Sequence, residues 1–264
     1  MRARIIGSGS SGNVLFVEAG ETRVLVDVGL SARETSRRLA EAGIDPSTLD
    51  AIVLTHEHGD HARGVSVLAR AHDLPVYTTA GTREACAFGR FEARMRFAEI
   101  QSGVSFQIGE LDFHPFGVPH DAVDSFAVTV EADGTKLALV TDLGYITQLV
   151  CDRVRDADVL ILESNHDVEM LKICPHYPWS LKQRVLSKHG HLSNDHVAEY
   201  LAESFDGRAQ HVVLAHLSKN TNHPEVARLA ALQALRQRGP LFCTDAEQRV
   251  SVADPDGASP WINL

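Results

Sequence analysis

Apolar positions along this chain follow two patterns. Some form short, nearly unbroken blocks rich in Val, Ile and Leu, which read as strands buried on both faces. Others recur every three or four residues between polar neighbours, which reads as helix. Blocks at residues 4–6, 14–18 and 22–28 predict three strands. The spacing over 31–42 predicts a helix, with Ser31 as N-cap and Gly43 as stop. A buried strand follows at 49–54, a helix at 62–72, a strand at 75–78 and a helix at 82–91. The second half repeats the rhythm. Strands are predicted at 104–108, 111–118, 125–131, 136–141 and 158–163, followed by a helix-rich stretch through His189. A helix at 194–205, a strand at 211–216, a helix at 224–238 and a strand at 249–253 complete the chain.

Two strand-rich halves thus each carry helices, with no Pro/Gly/Ser linker or low-complexity tract between them. That order predicts a single domain over 1–264, an α/β (α+β) four-layer αβ/βα sandwich with two sheets inside and helices outside. The 264 residues are 44% hydrophobic and 23% charged, enough to fill such a core. No apolar run approaches a membrane span, and the N-terminus lacks a signal-peptide run, so a cytoplasmic protein without membrane partners is expected. Cys86, Cys151, Cys174 and Cys243 show no CxxC spacing and read as reduced thiols. The formal net charge of −10 speaks against binding nucleic acid by bulk charge alone, but not against local basic patches.

The 14 histidines outnumber the 10 phenylalanines, and their placement carries the chemistry. The strand at 49–54 runs into Thr55-His56-Glu57-His58-Gly59-Asp60-His61, an HxHxDH loop opening a helix. Three imidazoles and a carboxylate within six residues form a donor set suited to Zn, Mn or Fe. Six residues cannot complete two coordination shells. Three more donor-type residues follow apolar strands in turn: His120, Asp142 and His216. The count then closes. His56, His58 and His120 would hold one divalent ion, Asp60, His61 and His216 a second, with Asp142 as bridge. Two such ions can bind a hydroxide between them and support in-line attack on phosphorus or a carbonyl.

HxHxDH followed by His120, Asp142 and His216 resembles the metallo-β-lactamase superfamily over nearly the whole chain. The seven-residue pattern looks like that of the dinuclear glyoxalase II and ribonuclease Z branch. Five further segments are similar to the YycJ/WalJ-type exonuclease group: Gly7-Ser8-Gly9-Ser10-Ser11-Gly12-Asn13, Glu163-Ser164-Asn165-His166-Asp167, the stretch from Tyr177 to Arg184, Gly190-His191-Leu192-Ser193-Asn194, and His216 to Asn222. The resemblance implies a 5′-to-3′ DNA exonuclease with catalytic roles for Asp60, Glu163 and His191. Glu163 would pair with His191 and charge it to protonate the leaving oxygen. His166 departs from the group, where an aromatic such as tyrosine is expected.

Substrate contacts are expected from Ser10 and Asn13, Asn165 and His166, and Lys182 and Lys188. The Gly7-to-Asn13 loop can offer N–H groups to a phosphate or simply make a tight hairpin turn. Arg83, Arg90, Arg94 and Arg96 alternate with Phe88, Phe91 and Phe97 and read as an amphipathic packed segment. Lys172, His176, Lys182, Arg184, Lys188 and His189, with Tyr177 and Trp179, read as a phosphate-facing wall. The alternatives are a metallohydrolase of a small phosphodiester, thioester or lactone, and a di-iron redox module. The latter usually replaces one histidine by a carboxylate, and this chain keeps histidine at 56 and 58.

Overall fold

In the computed structural model, which describes residues 1–239, 242 and 245–264, the apolar blocks pair into two seven-stranded sheets. The first sheet contains β1 (Arg2–Gly7), β2 (Val14–Ala19), β3 (Thr22–Val26), β4 (Ala51–Val53), β5 (Pro75–Thr78) and β6 (Arg96–Glu99). The second contains β7 (Phe106–Ile108), β8 (Leu111–Gly117), β9 (Phe126–Ala132), β10 (Thr135–Val140), β11 (Val159–Glu163), β12 (His211–Ala215) and β13 (Val250–Val252). The short β14 (Ile262–Asn263) returns to β1.

Both sheets share one plan. Antiparallel strands come first, β1-β2-β3 and β7-β8-β9-β10. Parallel strands follow, β3-β4-β5-β6 and β10-β11-β12-β13. Parallel neighbours bring their carboxyl ends to one edge, where ligand loops collect.

The first half has helices α1 (Ala32–Glu41), α2 (Gly59–Ala62), α3 (Val65–Ala71) and α4 (Ala80–Cys86). The second half has α5 (Gln148–Val154), α6 (Val168–Ile173), α7 (Trp179–Val185), α8 (Asn194–Glu203), α9 (Pro224–Gln237) and α10 (Ala246–Arg249). One apolar cluster joins the inner faces of the two sheets, for example Val24 and Val26 with Val128 and Ile161. A second places Leu39 of α1 and Leu68 of α3 against the first sheet. A third places Val150, Val197 and Leu232 of α5, α8 and α9 against the second. This is the four-layer sandwich expected from element order. Ser31 caps α1 as predicted, accepting from the Glu34 N–H.

Several boundaries differ from the sequence reading. The helix expected over 62–72 breaks at Gly64, where a Cβ would sit 2.3 Å from the Leu30 carbonyl oxygen. The helix expected over 82–91 ends at Cys86, because Ala87 and Gly89 take positive φ before a 3₁₀ turn over Gly89–Arg94. Strand β3 stops before Asp27, which has φ 62°. Strands β6 and β14 and helices α5 and α10 had no clear signal; β6 is a half-exposed edge, so it lacks the continuous apolar block of a buried strand.

Cys86, Cys151 and Cys174 are free thiols; Cys243 lies outside the described residues. Among the described residues no helix is long and apolar enough to cross a membrane. The first arginine–phenylalanine segment packs as expected. Arg83 pairs with Glu92 and lies 4.3 Å over the Phe97 ring, and Arg96 pairs with Asp73.

Candidate metal centre

Every predicted donor lies just past the carboxyl end of a strand or in the loop that follows. His56, His58, Asp60 and His61 follow β4, with Asp60 and His61 in the single turn of α2. His120 follows β8, Asp142 follows β10 and His216 follows β12. Asp27, Asp142 and His216 all have left-handed backbone, φ 62°, 62° and 57°. Such a conformation costs a non-glycine residue about 1–2 kcal/mol, and it persists where surrounding structure fixes a side chain's direction. The Asp60 turn is seated by a close approach: a Cβ on Gly29 would overlap the Asp60 carbonyl.

Donor atoms of His56, His58 and His120 lie within 4.8 Å of one another, as do those of Asp60, His61 and His216 and those of His56, His61 and Asp142. The hydrogen bonds around them fix the tautomers. His61 donates from Nδ1 to Asp27 Oδ2 (2.7 Å), and His216 from Nδ1 to Glu163 Oε1 (2.8 Å). His120 donates from Nδ1 to the Gly190 carbonyl (3.3 Å). The Thr55 hydroxyl donates to Asp27 and accepts from His56 Nδ1 at 3.0 Å. These assignments follow from carboxylates and carbonyls being acceptors only.

All four rings therefore turn Nε2 inward. The Nε2 of His56 is buried with no hydrogen-bond partner. The Nε2 of His120 faces His58 Nδ1 at 3.1 Å, and the Nε2 of His61 faces Asp142 Oδ2 at 3.1 Å. Inward Nε2 atoms, backed by outward Nδ1 bonds, are the arrangement a metal requires of imidazole, and a bound cation would replace any proton on them.

Charge points the same way. Asp27, Asp60, Asp142 and Glu163 surround the cluster, and none has a Lys or Arg ion-pair partner among the described residues. Burial opposes charge on Asp142, yet His216 and His61 hold its carboxyl well below the usual range. Burial also opposes protonation of His61 and His216. Asp142 with Asp27, and Asp142 with Asp60 and Glu163, outweigh it and hold both rings well above the ordinary histidine range. His56 and His120 go the other way, pushed down by burial, and so remain neutral donors. The residues present fit metal cations.

Glu163, fully buried, is the hinge of the site. Its Oε1 accepts from His191 Nδ1 and His216 Nδ1, both at 2.8 Å. Its Oε2 accepts from the Leu143 and Leu192 N–H groups at 3.2 and 3.0 Å. Burial alone would raise this carboxyl; His191 and His216 bring it down to about 2. The expected Glu163–His191 pair is present, and the same carboxylate also orients His216, which the sequence did not suggest. His191 lies 3.8 Å from Asp142 Oδ1 with its ring partly exposed. Burial works against its proton, but Glu163 prevails and raises its pKa.

The expected substrate residues divide. Ser10 is exposed at the tip of the β1–β2 turn and Lys188 is exposed after α7. Asn13 lies at the cluster, its Nδ2 3.0 Å from His61 Nε2. Asn165 is buried and donates to the His216 carbonyl at 3.0 Å. Lys182 is turned inward and donates to the Lys172 carbonyl at 2.7 Å. His166 is 1% exposed, so it does not present its ring at the surface. Two supports had no signal in the sequence. Ser8 Oγ accepts from the His216 N–H at 2.8 Å. A buried amide pair, Asn194 Nδ2 to Asn222 Oδ1 at 2.9 Å, ties the loop of His191 to that of His216.

The buried His166 ring has neither nitrogen hydrogen-bonded, and burial lowers its pKa to about 4. In the unfolded chain the ring titrates near 6.5. Between those values the unfolded state binds the proton and the folded state does not. This stability is present above about pH 6.5 and lost as pH falls toward 4. Urea unfolding should show wild type losing about 2 kcal/mol more than His166→Phe between pH 7 and pH 5. Equal losses would mean the ring is solvated.

A four-layer αβ/βα sandwich with an HxHxDH loop and later His, Asp and His donors at the strand ends defines a metallo-β-lactamase-fold metal-dependent hydrolase. The sequence profile of the β-lactamase superfamily domain matches residues 22–217. The chain belongs to that superfamily and, within it, to the YycJ/WalJ family. It is 38% identical over 237 residues to the exodeoxyribonuclease YycJ of Bacillus anthracis, covering 89% of each chain. It is 36% identical over 263 residues to the exodeoxyribonuclease WalJ of Streptococcus pneumoniae, covering 98% of this chain and 97% of that one. The crystal structure of Zn(2+)-bound PqqB from Methylobacterium extorquens superposes over the whole of both chains with a TM-score of 0.74 at 18% identity, a likeness of fold.

Proposed function

We propose that this protein is a cytoplasmic DNA exonuclease, degrading from the 5′ end with two divalent ions, Zn, Mn or Fe. The observation that carries the reading is the Glu163-bound His191 beside the donor cluster. A phosphodiester leaves as an alkoxide that needs a proton, and His191 holds one on Nε2 while Glu163 fixes Nδ1. The near-full-length likeness to two exodeoxyribonucleases supports DNA as the substrate. Four carboxylates without Lys or Arg partners support two divalent ions, whose four positive charges would balance them.

His56, His58 and His120 would hold one ion, Asp60, His61 and His216 the other, and Asp142 both. Bound there, the ions would supply Lewis acidity toward the phosphoryl oxygens and would acidify water at neutral pH. Asp27 and Thr55 hold the Nδ1 atoms of His61 and His56, so that each Nε2 faces the donor cluster. Asn13 closes the wall beside His61, and Ser10 and Lys188 stand exposed for the strand.

Digestion of 5′- and 3′-end-labelled DNA with Mn or Zn tests this. Release of the 5′ label as nucleotides is the expected result. Intact DNA with the metals fully loaded would overturn the reading in favour of a small phosphodiester, thioester or lactone.

A further inference from the structure

We propose that helix α7 and the turn before it form a docking wall for an unpaired DNA strand, with Trp179 stacking on a base. The inference rests on the exonuclease reading above and names the groups that hold the substrate. Three sets of contacts fasten α7 to the catalytic loops. At its start, the Tyr177 hydroxyl lies 3.3 Å from Ser218 Oγ and accepts from Asn220 Nδ2 at 3.4 Å, in the loop that begins with His216. Along it, Arg184 pairs with Asp121, next to His120. At its end, the His191 N–H donates to the Val185 carbonyl at 3.0 Å. Seven residues of helix span about 10 Å. Trp179, the first of them, is therefore held within reach of a strand entering the metal centre.

Trp179 is 65% exposed, an unusual state for the largest apolar side chain. The chain's other tryptophan differs: Trp261 packs edge-on against Phe16 with Arg2 4.1 Å over its ring. The inward Lys182 donates to the Lys172 carbonyl, which ties α7 to α6. Exposed aromatics are the stacking platforms of single-strand binding, and they act with cations that track the phosphates. Lys188 supplies such a cation. It is exposed and its side chain has no partner among the described residues. A positive, aromatic ridge on a chain of net charge −10 complements a polyanion with unstacked bases.

Two measurements test the wall. In Trp261→Phe, where Trp179 is the remaining tryptophan, oligo(dT) added in chelator should quench the fluorescence. The quench should weaken with rising salt. In digestion assays, Trp179→Ala should raise KM for single-stranded DNA roughly 5- to 100-fold with kcat little changed, the range expected for one stacked base. Cleavage of the p-nitrophenyl ester of thymidine 5′-phosphate, too small to reach the ridge, should stay within about twofold, and Trp179→Phe should retain most of the DNA activity. Unchanged KM in Trp179→Ala, with DNA digestion intact, would overturn the wall and leave the exonuclease reading standing. Quenching without digestion in wild type would overturn the exonuclease reading instead. A dimer in sedimentation that Trp179→Ala dissociates, with both substrates affected equally, would assign the ridge to contact between copies and overturn the proposal.

Discussion

Asp142→Ala should abolish DNA cleavage, by roughly 10³-fold or more, and strip metal from the protein. The Asp142 carboxylate faces four histidines of the site. Its Oδ2 lies 3.1 Å from His61 Nε2. Its Oδ1 lies 3.3 Å from His216 Nδ1 and 3.8 Å from both His120 Nε2 and His191 Nδ1. One carboxylate thus faces histidines from both proposed ion sites, and its loss removes a shared negative charge from a buried place. The alanine also meets a backbone obstacle, because position 142 has φ 62°. Alanine there costs about 1–2 kcal/mol, which a thermal melt would report as lower Tm. Asp142→Asn separates the two effects. Asparagine tolerates left-handed backbone and keeps the shape, but carries no charge. Metal analysis and end-labelled DNA should show the same loss in Asp142→Asn with a smaller change in Tm. An Asn variant that keeps its metal and its activity would show that the charge on residue 142 does not hold the ions.

His191→Ala should keep its metal and lose roughly 10²- to 10⁴-fold in kcat, the usual contribution of a general acid. His191 touches Asp142 only at 3.8 Å, and its nearest bond is to Glu163. Removing it leaves every proposed donor in place. The pH profile carries the stronger test. Glu163 raises the His191 pKa despite burial, so the proton is kept below that raised value and lost as pH rises through it. Activity should fall on the alkaline side of that titration. Glu163→Gln withdraws the negative charge, and the alkaline limb should move to lower pH. Because Glu163 also receives the His216 Nδ1–H, metal content is measured in the same variant. Equal loss of metal in His191→Ala and Asp142→Ala would end the division of roles between them.

The sequence alone determined the layers and where donor-type residues follow the strands. Strands β4, β10, β11 and β12 are legible as apolar blocks because their central positions are buried on both faces, and a donor-type residue stands at or within three residues of each end. HxHxDH is legible because its six residues act through one local turn. The Glu163–His191 pair was within reach only through the family resemblance, which its motifs carried.

Tertiary structure decided which way each side chain turns. Glu163 serves His191 and His216 at once because parallel β11 and β12 bring their ends side by side, 53 residues apart in sequence. Asp27 reaches both His61 and, through Thr55, His56 because β3 and β4 are parallel neighbours and residue 27 takes positive φ. Lys182 and Lys188 look alike in a basic run; one lies on the inner face of α7 and the other beyond its end. His166 reads as a surface ligand and is buried. Local sequence sets residue type and periodicity. The facing of a long side chain depends on which distant backbone lies opposite it, and only the packed sheets and helices fix that.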